Sequence, residues 1–154
     1  YGKPSLIGTV TGMVAGLATI TPASGYVGPM GALAIGFAAG LICFWAVPFI
    51  KQVVKIDDSL DVFAVHGVGG VLGILLTAVF ASTAFGGLGL PEGRTILDQF
   101  WVQGIGVVAI VGWSVVVSAG IALLLRALIG LRVSEQAETE GLDITTHGER
   151  GYTL

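Results

Sequence analysis

Charge is scarce in this sequence. Only 11% of the 154 residues are Asp, Glu, Lys or Arg, against roughly a quarter in an ordinary soluble domain, and 54% are apolar. That excludes a water-facing surface over most of the chain, and a mean hydropathy of +0.91 is that of a polypeptide dissolved in lipid. Cysteine is nearly absent: Cys43 alone rules out an internal disulfide and says nothing of a redox compartment. There are two histidines, His66 and His147, and no cluster of residues spaced to ligate a metal. No nucleotide loop and no nucleophile–base pair appears, and "HGVGG" lacks the strand–turn–helix setting of a phosphate loop. The residues thus point to no enzyme, no cofactor and no metal. The formal charge of −3 is small and five of the ten acids lie beyond Leu131, so the acidity belongs to the tail and a nucleic-acid partner is not indicated.

What charge there is clusters. Ser5 to Ile50, Val62 to Pro91 and Gln99 to Leu125 carry none, and each gap can hold at least one crossing of a ~30 Å hydrocarbon core, which takes about 20 helical residues. The first gap is too long for one span, and "TPASGYVGPMG" breaks it with prolines and glycines. The expected architecture is an all-α integral membrane protein with four transmembrane helices. They run over about 5–20, 29–50, 60–81 and 96–131, the transmembrane region being 1–131 and the tail 132–154. A cleaved leader over the first 25 residues is the weaker reading of that stretch, because glycines at 8, 12 and 16 suit a packed helix. The chain starts at Tyr1, which suggests a processed protein or part of a longer polypeptide.

With four alternating helices, Lys3, Lys51, Lys55, Arg126, Arg132 and Arg150 fall on one side and only Arg94 on the other. The positive-inside bias makes the first side cytoplasmic, the C-terminus included. Small residues recur at helical spacing: Gly8, Gly12 and Gly16, then Gly36 and Gly40, then Gly69 and Gly73. In lipid, helices associate where small residues let backbones approach, so these glycines are expected at helix contacts.

The stretch "DDSLDVFAVHGVGG", Asp57 to Gly70, carries an imidazole into an apolar run. At ~1.5 Å per residue His66 sits roughly 12 Å along the axis from Asp58, and α-helical spacing puts Val62, His66, Gly70 and Gly73 on one face. Burial disfavours the charged ring. A neutral ring has one donor and one acceptor nitrogen, so it can pass a hydrogen-bonding solute or relay a proton. The alternative is a histidine that bonds a backbone carbonyl between helices and does nothing more. Asp57, Asp58 and Asp61 fit a helix start, where carboxylates cap free N–H groups and complement the macrodipole, with direct contact to a substrate as the other reading.

"GKPSLIGTVTGMVAGLATITPASGYVGPMGA", "DDSLDVFAVHGVGGVLG" and the tail "LRVSEQAETEGLDITTHGERGY" together resemble the ammonium transporter (Amt) family over the whole chain. The resemblance implies an eleven-helix fold in homotrimers with a pore through each subunit. This chain would be helices eight to eleven plus the cytoplasmic tail of a multi-pass cell-membrane protein, completed by upstream helices of the same protein. His66 matches the second of the family's paired pore histidines, Val62 and Val14 match apolar pore-lining positions, and Asp61 matches the structural acid of "DVFxVH". The first pore histidine, the aromatic gate and the recruitment site belong upstream of Tyr1. The implied activity is conduction of ammonia after ammonium gives up its proton, the proton following along the pore histidines. The tail residues Asp143, His147 and Gly148 would serve regulation, against a neighbouring subunit or a PII-type signalling protein. Two alternatives stand beside transport: an ammonium sensor of the same family, and a non-conducting helical bundle in which His66 is a core residue.

Overall fold

A computed structural model of the chain describes Lys3 and residues 5–151. No strand occurs among the described residues, and four helical segments are long and apolar enough to cross a membrane: Leu6–Ala23, Pro29–Val54, Phe63–Phe80 and Ile96–Leu128. The expected all-α membrane fold with four spans is what the chain forms.

Helix α1 is Leu6–Ile20, started by Ser5, whose hydroxyl accepts the Gly8 N–H at 3.0 Å. A 3₁₀ turn, Thr21–Ala23, ends it. Helix α2 is Pro29–Pro48 and passes into a π-helical turn, Phe49–Val54. Pro48 explains the change of winding. It has no N–H for the α-helical ladder and its ring crowds the preceding turn, so the helix widens after it and does not stop at Ile50. Lys55, left-handed at φ 61, then ends the segment, its N–H bonding to the Ile50 carbonyl. A second π turn, Phe63–Val68, leads into α3, Gly69–Phe80. Helix α4, Ile96–Leu128, begins at a capping box in which Thr95 and Asp98 bond each other's backbone N–H groups. It ends before Leu131 because Gly130 turns left-handed at φ 80 and returns its N–H to the Leu125 carbonyl. No residue of α4 is buried.

The described residues fall into two compact units, divided after Ala109. In the first, α1, α2 and α3 pack through small residues at four-residue spacing: Ala15 and Thr19; Gly31, Ile35, Ala39 and Cys43; Val65, Gly69, Gly73 and Thr77. Four-residue rows form the ridges along which helices interlock. The tightest approach is α1 on α3. A Cβ on Gly73 would run into the Thr19 carbonyl, and one on Gly69 would lie 2.7 Å from the Thr19 hydroxyl. At the far end of the helices Gly28 lies on the Gly86 carbonyl, and the Leu88 N–H donates to Tyr26.

The glycine expectation divides here. Gly69, Gly73 and Gly31 sit at contacts, whereas Gly12, Gly16, Gly36 and Gly40 have nothing within 4 Å of an added Cβ, since Ala, Thr and Cys supply the close approach on α1 and α2. Gly73→Ala is therefore expected to lower the thermal midpoint in detergent, by the equivalent of about 1–3 kcal/mol for an overpacked contact that backbone cannot relieve. Gly36→Ala should leave the midpoint unchanged or raise it, as alanine is the better helix former by about 1 kcal/mol. Equal midpoints for the two variants would refute this assignment of the crossing.

Candidate functional site

The acids and the histidine of the 57–70 stretch are brought to one place by the start of the third span. Asp58 is the cap: its two carboxylate oxygens accept the N–H groups of Val62 and Phe63, each at 2.8 Å. Asp61 has a different task. It is left-handed at φ 58, a conformation that costs a non-glycine residue roughly 1–2 kcal/mol but that Asp tolerates better than most. Its side chain turns away from the helix to meet Lys51 Nζ at 2.6 Å. Its carbonyl accepts the Val65 N–H at 2.9 Å, so the residue is held at both ends. Asp57 is exposed and caps nothing. The helix-start reading thus describes Asp58 directly, and Asp61 through its backbone.

His66 sits in the π turn. Winding there advances each side chain by less than the about 100° of an α-helix, and the single face assigned to Val62, His66, Gly70 and Gly73 does not hold across it. Val62 and His66 are exposed, Gly70 is half-buried beside open space, and Gly73 is buried on Thr19. What fixes the ring's position is its neighbour. Val65 is buried in a cluster with Ala15 and Cys43, which pins the turn to α1 and α2 and leaves the next residue, His66, pointing out of the bundle. Val14 precedes Ala15 in the chain and is 38% exposed; Val62 is 52% exposed. Val14 and His66 therefore flank one packed seam. No described residue hydrogen-bonds the imidazole, and no group of three or more His, Cys, Asp or Glu residues among those described could hold a metal ion.

A groove of about 530 Å³ lies between α1 and α2, floored by Gly8, Gly12 and Gly40, with Pro48 and Asp61 at one end. The acid that precedes the histidine thus borders the α1–α2 seam.

The Ammonium Transporter Family model matches residues 1–152. The chain belongs to the ammonium transporter family. It is 44% identical to an ammonium transporter of Aquifex aeolicus over 99% of this chain and 36% of that protein, and 39% identical to one of Bacillus subtilis over 97% and 37%. Among solved structures it is similar to a sensor Amt protein, with a TM-score of 0.83 and 35% identity over 94% of this chain and 35% of that one. The chain spans little more than a third of the length of these relatives.

The second unit carries the tail residues. Helix α5, Glu135–Glu140, is capped by Ser134, and Arg132 grips Glu138 through both oxygens, at 2.6 and 3.0 Å. Asp143 and His147 bound a further π turn, closed by left-handed Gly148, and the Glu149 N–H returns to the Asp143 carbonyl at 2.9 Å. All three candidate tail residues are exposed. The sequence reading used Lys51 and Arg132 for orientation alone and missed their pairing, since each, Lys51 in the first unit and Arg132 in the second, finds its carboxylate only through a turn of the chain.

Arg132 holds the Glu138 carboxyl below its ordinary range, chiefly by hydrogen bonding. A depressed folded value means that the pair stabilises α5 above the ordinary glutamate pKa, about 4.3, and is lost as pH falls through the lower value. An NMR titration of Glu138 should give a midpoint below that of a free glutamate, and Arg132→Ala should return it to the ordinary value. A normal midpoint in the unmodified protein would count against the pair in solution.

Proposed function

We propose that this chain is the C-terminal part of an ammonium transporter, with His66, Val62 and Val14 lining the passage for ammonia. One observation carries the reading: the only histidine of the spans faces out of the bundle, from a segment that otherwise reads as lipid-soluble. An imidazole is costly against hydrocarbon. The face that carries it is therefore one that other protein covers or that water and solute reach, and a core histidine is the poorer description.

The chemistry follows from desolvation. An apolar passage imposes the full cost of dehydration on any permanent cation. Ammonium alone among the common monovalent ions can shed its charge by giving up a proton. Ammonia then moves as a neutral solute that both donates and accepts hydrogen bonds, and a neutral imidazole offers one partner of each kind. Selectivity arises from acidity, not from size. Val62 and Val14 keep the walls apolar on either side, which preserves the penalty on K⁺. The proton follows separately along the histidine line, a homotrimer of the complete protein sits with the C-terminus in the cytoplasm, and Asp143, His147 and Gly148 present the surface through which a neighbouring subunit or a PII-type protein would act.

Similarity to a sensor Amt protein favours one second reading, in which the same passage binds ammonium to report its presence. Flux separates the two. In the intact membrane protein reconstituted in vesicles, His66→Ala should change ammonium flux, or its ratio to K⁺ flux, by about tenfold or more, equivalent to 1.4 kcal/mol on the barrier, with assembly preserved. A variant that assembles poorly yet conducts normally per molecule would defeat the passage reading, and ammonium binding without flux in the unmodified protein would favour the sensor.

A further inference from the structure

The two π turns of the first unit are linked by the buried packing of Ile50 with Ala64 and by one ion pair at their margin. Lys51 belongs to the turn Phe49–Val54 that follows Pro48, and Asp61 stands two residues before the turn Phe63–Val68 that holds His66. π turns are rare and concentrate at functional sites. Here the pair joins the middle of one to the residue two positions before the other.

Capping does not require Asp61's carboxylate, since Asp58 already supplies both acceptors to Val62 and Phe63. Its one close partner is the ammonium of Lys51, at 2.6 Å, with the two side chains 37% and 22% exposed. Partial withdrawal from water on the carboxylate side strengthens such a pair relative to a fully exposed one. The linkage then runs through backbone. Lys51 sets the orientation of left-handed Asp61, the Asp61 carbonyl takes the Val65 N–H, and Val65 is seated on Ala15 and Cys43. His66 is the next residue. A change in the φ of Asp61 would re-aim the segment that bears the ring, because few backbone bonds separate them.

We propose that Lys51 is a positioning residue for His66, acting through Asp61 to hold the rotation and height of the π turn that presents the imidazole. The inference rests on the reading of His66 as a lining residue of the passage. Lys51 itself touches no solute.

The test is a double-mutant cycle in the intact membrane protein in vesicles, with the ratio of ammonium to methylammonium flux and the amount of assembled protein both measured. Lys51→Met should shift the flux ratio by between about twofold and tenfold, the size of coupling between residues of one network. Lys51→Arg, which keeps the charge, should restore most of it. On a His66→Ala background Lys51→Met should produce no further shift. A ratio unmoved by Lys51→Met while His66→Ala moves it would overturn the role of Lys51 and leave the passage reading intact, as would additive shifts. A ratio unmoved by His66→Ala would remove the passage reading, and this inference with it. Should Lys51→Met assemble too poorly to measure, Asp61→Asn in its place gives the same three comparisons.

Discussion

The close crossing of α1 over α3 is the constraint on which the rest of the first unit depends. Lipid offers no hydrophobic reward for bringing helices together, so contact must come from fit and from dispersion. Gly73 allows the Thr19 carbonyl into the space a side chain would fill, and Gly69 does the same for the Thr19 hydroxyl with Cys43 beside it. Once those two rows engage, α2 has one groove left to occupy, and its stripe of Gly31, Ile35, Ala39 and Cys43 fills it. The buried cluster of Ala15, Cys43 and Val65 continues the same seam toward the Ser5 end of α1. The candidate site is referenced to that cluster and to its neighbour, Ala46, Ile50 and Ala64.

Around this seam the acids divide their labour according to geometry. A carboxylate four or five residues before free N–H groups can cap them where the chain between turns back, and Asp58 does so. A carboxylate at the last non-helical position cannot reach back, and Asp61 turns its side chain outward to Lys51. Conformational strain at Asp61 is offset by a backbone hydrogen bond and an ion pair together, as local strain requires if it is to persist.

The fold class was legible because hydrocarbon tolerates so little charge: the gaps without Asp, Glu, Lys or Arg mark the spans almost to their ends. The ends that shifted did so for reasons of backbone chemistry. Pro48 widens the second span so that it carries Lys51 to Val54, and Gly130 stops the fourth at Leu128. The glycine rows were legible as helix faces but only in part as contacts: Gly69 and Gly73 meet Thr19, whereas Gly12, Gly16, Gly36 and Gly40 have nothing within 4 Å of an added Cβ, Gly12 and Gly40 lining the open groove between α1 and α2. His66 stood out for its chemistry alone, an ionisable ring in an apolar run. The π turn that carries it has no proline to announce it, and the Lys51–Asp61 pair depends on how a loop folds back, which spacing along the chain does not encode.

Those uncontacted glycines bear on what the unit does with its remaining surface. Each helix spends one stripe on the internal seam, and the faces left over are not uniform: one carries His66 and Val62, others carry Gly12, Gly16, Gly36 and Gly40 over open space. Simple exposure to lipid would favour bulky aliphatic residues at every outward position, because glycine there weakens the helix by about 1 kcal/mol relative to alanine and gains nothing from acyl chains. Glycine is useful where another backbone approaches. The fourth helix likewise buries no residue along its length, and the histidine lies on the part of the surface where hydrocarbon is the least suitable neighbour.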